Sequence, residues 1–315
     1  DLVSKSDRSR KDDETILKAA EQFADQGKTI EAVSLYRQIY NLGQDVELRA
    51  AALRGEFALS EDKVAFVEHA IQEAPAALKD HAIRLVKSLP ASFKKGKDLL
   101  KLPGLSDTDC IQILAQLAKR SDPSIHAEVV SYARSDSELF RTTALEALSQ
   151  VGKPEDLPLL VEKVSNGSAT EAKLAEEALY QIRGKQFDEA IVEQLPKATG
   201  KEQETLLRAV EKRNIESATP ILLKLINGSD SKLASRALST LTLVSGIPGL
   251  KAVVDQWIQE NDDDRIKELD RAITRMTVRL QDNRETLGIL KQAQSASLPE
   301  TKKTTLMELL GKLEK

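Results

Sequence analysis

The sequence predicts an all-α protein, an α-α superhelix in which about nine antiparallel helix pairs stack as a right-handed solenoid. Three observations carry this. Residues 119–152, KRSDPSIHAEVVSYARSDSELFRTTALEALSQVG, return at 212–246 as KRNIESATPILLKLINGSDSKLASRALSTLTLVSG, so that Leu114, Arg120 and Leu145 fall on Leu207, Arg213 and Leu238, 93 positions later. A register of about 31 residues divides that offset into three, and a period of 20–50 residues marks stacked supersecondary units. The apolar residues Leu139, Ala144, Leu145, Leu148 and Val151 follow a helical stripe, and no segment alternates with period two over a strand's length. Finally, the chain is 41% hydrophobic but only 3% aromatic, a balance that suits close helix packing and disfavours a sandwich or barrel.

The chain opens with Asp1 and the polar stretch LVSKSDRSRKDD, which reads as a trimmed or processed start. Residues 1–12 are expected to be disordered, with 13–315 forming a single solenoid domain and a cap helix near 13–26. First helices of the pairs are expected near 30–41, 62–73, 93–102, 125–134, 155–165, 187–196, 216–226, 248–259 and 284–295. Second helices align on Leu53, Val86, Leu114, Leu145, Leu179, Leu207, Leu238, Ile273 and Met307, about 32 residues apart on average. The steps vary between 28 and 35 residues, as helix pairs with loose connections allow. In the fourth pair the first helix carries Ile125, Val129, Val130 and Ala133. RSDS follows, whose Asp136 or Ser137 can cap the next helix through its orphan amides. Gly152-Lys153-Pro154 stops that helix, and Pro154 suits the first turn of the one after. Asn166-Gly167-Ser168 and Asn227-Gly228-Ser229-Asp230 separate the helices of their pairs. Ser88-Leu89-Pro90, Leu102-Pro103-Gly104 and Gly246-Ile247-Pro248 mark further boundaries.

Composition excludes several functions. A net charge of −4 and a pI near 5.7 disfavour nucleic acid as a partner, because neutralising many phosphates needs a basic surface. Lys94, Lys95, Lys97 and Lys101 form a basic strip that reads as a solvated helix face. The single cysteine, Cys110, permits no intrachain disulfide, and no run of about 18 apolar residues could span a membrane. His69, His81 and His126 lie in different units without a second ligand at helical spacing, so they do not make a zinc set. Cys110 follows Asp107 and Asp109, carboxylates that oppose a thiolate. There is no nucleophile elbow, phosphate-cradling loop or dinucleotide fingerprint. Asn261-Asp262-Asp263-Asp264 lacks the alternating ligands, glycine and later glutamate of a calcium loop, and fits a cap for a helix near Arg265. Glu176 and Glu177 read as solvated carboxylates. Trp257, the only tryptophan, reads as core, with a partner-binding anchor as the alternative. No catalytic, cofactor-binding or metal-ligating set is expected, and no cofactor.

SELFRTTALEALSQVG at 137–152, KLAEEALYQIRG at 173–184 and KLASRALSTLTLVSG at 232–246 share an apolar residue, a small Ala-Leu pair and a further apolar residue three positions on. DLPLLVEKV at 156–164 and SATPILLKLI at 217–226 carry an early proline. With these motifs the chain resembles the HEAT-repeat, armadillo-like family over roughly residues 30–315. Most units lack that family's Asp-then-Arg turn, which is best kept at Asp45 with Arg49 and at Asp136 with Arg141. The opening ETILKAAEQFADQGKTIEAVSLYRQIY places Ala20, Gly27, Ala32 and Tyr36 as a tetratricopeptide unit would; a cap helix followed by the first helix of the array is the plainer reading. ELRAAALRGEFAL at 47–59 and LPGLSDTDCIQILAQLAKRSD at 102–122 resemble helical-repeat modules of exported bacterial proteins, some of them joined to carbohydrate-active domains.

These resemblances imply a non-enzymatic protein-binding or scaffolding module. Its second helices would line a concave groove for an extended partner or neighbouring domain. The alternative is an accessory module of a larger exported, carbohydrate-active enzyme. A monomer with a protein partner or adjoining domain follows, periplasmic or secreted, with the cytoplasm as the alternative. Helical-repeat enzymes that excise bases use a basic, aromatic-lined cleft, which one Trp, four Tyr and an acidic pI do not supply.

Overall fold

A computed structural model describes residues 9–281 and 284–313. Every regular element among them is helical. The chain falls into two compact units, Asp1–Gly152 and Lys153–Lys315, divided at the Gly152-Lys153-Pro154 break.

The first unit contains α1 (Arg10–Asp25), α2 (Thr29–Leu42), α3 (Val46–Leu59), α4 (Lys63–Glu73), α5 (Ala76–Arg84), α6 (Gly96–Leu99), α7 (Asp107–Lys119), α8 (His126–Tyr132) and α9 (Glu138–Val151). The second helices α3, α5, α7 and α9 pack in that order, and α2, α4 and α8 lie on α3, α5 and α9. The cap helix begins at Arg10, ahead of the expected 13. Ser9 accepts from the Asp12 amide while the Asp12 carboxylate accepts from the Ser9 amide, a capping box that satisfies two orphan donors. The expectation of disorder at 1–8 lies outside the described residues. Helices α1, α2 and α3 meet over Ala20, Ala32, Tyr36, Ile39 and Ala52, where small side chains let the backbones approach.

The second unit contains α10 (Leu157–Asn166), α11 (Ala169–Gln181), α12 (Lys185–Gln194), α13 (Gly200–Arg213), α14 (Thr219–Ile226), α15 (Ser231–Val244), α16 (Ile247–Gln259), α17 (Asp263–Arg279), α18 (Arg284–Gln294) and α19 (Glu300–Leu313). Here α11, α13, α15, α17 and α19 pack in series, and each is paired with the helix before it. The described residues thus form nine pairs plus α1. Leu114, Leu145, Leu179 and Leu207 are fully buried, each worth roughly 1.5–3 kcal/mol over an exposed side chain.

Four expectations are corrected. The helix expected at 93–102 shrinks to α6, a single turn. Pro90 and Pro103-Gly104 flank it, and its first residue is a glycine wedged against α7. A Cβ at Gly96 would lie 2.7 Å from Leu117 Cδ2 and 2.6 Å from Asp122 Oδ2. Met307 is 60% exposed and Leu306 is the buried anchor, because Leu306, Leu309 and Leu310 share the inner face of α19 and Met307 falls beside it. Leu139 is likewise exposed, and Phe140 begins the stripe of α9. Ser137 occupies the N-cap of α9, yet its side chain accepts no capping bond. The adjoining carbonyls of Ser135 and Asp136 instead receive Nη1 of Arg141, at 2.9 and 2.7 Å.

Candidate functional site

An array of short helices has many ends, and each C-terminus leaves carbonyls without an intrahelical donor. Cationic side chains from the next pair answer this need. Arg120, at the end of α7, donates to the carbonyls of Lys87, Leu89 and Pro90, where α5 runs out through a 3₁₀ turn. Arg213, ending α13, donates to Leu179 O at 2.9 Å and Tyr180 O at 3.1 Å in the last turn of α11. Arg279, ending α17, donates to Thr242 O and Ser245 O at the end of α15. A second series acts on first helices. Lys201 reaches Ser165 O of α10, Arg265 reaches Ile226 O of α14, and Lys302 reaches Trp257 O, Ile258 O and Glu260 O at the end of α16. Cations at these ends also oppose the helix dipole favourably.

These joints align α15 and α17 side by side, and the candidate site lies between them. An open depression of about 160 Å³ is lined by Ser235, Ser239, Thr242, Glu268, Arg271 and Arg275, with Leu238 and Ala272 beneath. Leu243 and Val278, 53% and 56% exposed, follow Ser239 and Arg275 of its lining by one helical turn. Each lies five residues past its anchor, Leu238 or Ile273, so they are equivalent positions on neighbouring helices. Glu268 is spoken for: Ser235 Oγ donates to Oε1 at 2.7 Å and Arg265 Nη1 to Oε2 at 2.6 Å. Arg271 Nε donates to its own helix at Lys267 O, 3.1 Å away. Arg275 has no ion-pair partner among the described residues. Toward the start of the same two helices a second depression, about 290 Å³, is lined by Asp262, Asp264, Glu268 and Arg265 among others. On the other flank of α15, Arg236 bonds Glu204 at 3.0 Å and also Glu211, which Thr240 Oγ1 contacts at 2.8 Å. Burial would push the Glu211 carboxyl up, but the bonds from Arg236 and Thr240 outweigh it and hold the carboxyl below its usual range. The depression offers two guanidinium groups, hydroxyls and an aliphatic shelf, a set suited to binding.

The residues singled out from sequence are scattered. His69 lies in α4, His81 in α5 near Glu47 (4.0 Å), and His126 opens α8. Among the described residues no group of three or more His, Cys, Asp or Glu could hold a metal ion. Cys110 is half-buried in α7, where burial and then Asp107 and Asp109 push its thiol up. Lys94, Lys95, Lys97 and Lys101 are exposed around α6. Asp262 caps α17, accepting from the Arg265 amide at 2.8 Å. Glu176 is not simply solvated, for it pairs with Arg208 at 3.1 Å, and burial, followed by Glu176, pushes the Tyr180 phenol up to about 12. Trp257 is core: it is 2% exposed, its Nε1 donates to Asp270 at 2.7 Å, and Lys302 Nζ stands 5.5 Å from its ring. The joints went unread in the sequence although a signal exists. Arg120, Arg213 and Arg279 each lie six residues past an anchor, at Leu114, Leu207 and Ile273.

Architecture and site together define a helical-repeat protein built from stacked pairs. Residues 102–180 match the model of the HEAT repeats family, so the HEAT-repeat resemblance is borne out over that segment. No curated protein matches the sequence. Among solved structures, the chain is similar to an engineered protein at 15% identity, covering 98% of this chain and 96% of that one with a TM-score of 0.40. It is also similar to human deoxyhypusine hydroxylase in complex with glycerol at 14% identity, covering 82% and 99% with a TM-score of 0.32. At such values neither likeness bears on function. No described helix is long and apolar enough to cross a membrane.

Proposed function

We propose that the chain is a non-enzymatic protein-binding or scaffolding module, with 13–315 serving as one domain, acting as a monomer on an extended segment of a partner or of an adjoining domain. One observation carries this: Leu243 and Val278 are more than half exposed at equivalent positions of adjacent second helices. The helices have already buried their inner faces, and two aliphatics left in solvent at matching positions of neighbouring second helices suit the cover of a partner. The likeness of residues 47–59 and 102–122 to modules of exported bacterial proteins supports a periplasmic or secreted setting. Chemical crosslinking of the full chain in extract, repeated with a Leu243→Ser/Val278→Ser variant of unchanged circular dichroism, tests the proposal. Loss of most crosslinked partner in the variant is the expected result. Equal crosslinking by both proteins, or none by either, would overturn it.

A further inference from the structure

We propose that the depression between α15 and α17 recognises a carboxylate: an Asp or Glu side chain of an extended protein segment, whose neighbouring aliphatic residue rests on Leu243 and Val278. This rests on the protein-binding reading and adds the chemistry of the partner.

The first support is unneutralised charge. Arg271, Arg275 and Arg279 follow one another at i, i+4 and i+8 along α17, a spacing at which like charges repel. Arg279 is committed to the end of α15. Arg271 and Arg275 face the depression without a carboxylate among the described residues. Other second-helix arginines of this unit are paired: Arg208 with Glu176, Arg213 with Asp188, Arg236 with Glu204 and Glu211, Arg265 with Glu268. In a chain with more acidic than basic residues, two arginines left facing one hollow form a local positive field. Glu268, the one carboxylate in its lining, has both oxygens engaged.

The second support is shape. A hollow of about 160 Å³ far exceeds the roughly 10–15 Å³ that one water needs, which leaves room for a carboxyl-bearing side chain. Guanidinium groups bind carboxylates through charge-assisted, often bidentate bonds, and Ser239 and Thr242 add hydroxyls to the wall. Leu243 lies one turn beyond Ser239, and Val278 one turn beyond Arg275. An aliphatic residue next to the acidic one would therefore meet apolar surface. A nucleic-acid backbone fits poorly, since its charge recurs at every nucleotide and would run onto Asp262 and Asp264 at the start of α17, whereas a single carboxylate seated in the hollow leaves its neighbour free to be apolar.

Fluorescence anisotropy of the full chain tests this with a labelled, N-acetylated and C-amidated peptide of alternating Asp and Leu. Comparison peptides carry Asn or Lys for Asp and Ser for Leu, and a single-stranded oligonucleotide is a further probe. The Asp-Leu peptide should bind with salt-sensitive affinity. The Asn, Lys and Ser peptides should each bind about tenfold more weakly or worse, as should the Asp-Leu peptide with Arg271→Gln/Arg275→Gln, whose circular dichroism should be unchanged. Equal binding of the Asn or Lys peptide, undiminished binding by the double variant, tighter binding of the oligonucleotide, or no peptide binding would overturn it. If a crosslinked partner survives Arg271→Gln/Arg275→Gln but is lost with Leu243→Ser/Val278→Ser, the carboxylate assignment fails and the binding module stands. If both variants keep it, both fail.

Discussion

Gly55 sits mid-way along α3 against the ring of Tyr36, and a Cβ there would lie 2.8 Å from Tyr36 Cε2. The ring is 4% exposed and cannot swing out. Alanine gains up to about 1 kcal/mol in a helix interior over glycine, yet forcing an extra carbon into a packed core costs about 1–3 kcal/mol. Gly55→Ala should therefore lower Tm, while Gly311→Ala in α19, where a Cβ meets nothing within 4 Å, should raise stability by up to about 1 kcal/mol. Thermal melts of the two variants check the opposite signs. Glu211 offers a pH test. Its carboxyl is held below the ordinary range, so its stabilisation is fully present above that range and is lost as pH falls from it down through the lowered folded value. Glu211→Gln should cost about 2 kcal/mol near pH 7 and flatten the acid limb of a Tm-against-pH curve. An unchanged limb would refute the role given to the Arg236–Glu211 pair.

At the scale of elements, the sequence announced most of the helices and few of their joints. Leu114 with Leu207, and Leu145 with Leu238, repeat because all four are buried, so periodicity reports the core directly. The slips at Leu139 and Met307 are one residue wide and occur where two apolar residues adjoin, Leu139-Phe140 and Leu306-Met307. The hydrophobic pattern alone does not choose the phase there. The helix expected at 93–102 failed because Gly96 must press against α7, a tertiary demand. The cationic joints hid for a different reason: their acceptors are backbone carbonyls, which carry no sequence. The depression between α15 and α17 was equally hidden, since an arginine row on a helix reads as a solvated face until the neighbouring helix is placed.

On the scale of the molecule, a repeat array is stabilised by its units and by contacts between neighbours, so damage stays near where it is made. Lys302 is the sharpest probe. Its ammonium is 2.6 and 2.7 Å from the carbonyls of Trp257 and Glu260, beside the only tryptophan in the chain. Lys302→Met leaves three carbonyls without their donor and should cost about 3 kcal/mol locally. Denaturant unfolding followed by Trp257 fluorescence should then shift to lower midpoint more than the same transition followed by circular dichroism. Coincident shifts would mean that the whole chain unfolds as one piece.

Because the joints between pairs end on main-chain oxygen, the receiving helix is held whatever side chains it displays. Outward residues that take no part in the side-chain pairs of Arg208, Arg213 and Arg236 carry little of that load. Those positions can be rewritten one at a time without loosening the stack, and descendants of this chain could acquire unlike partners while keeping the same scaffold.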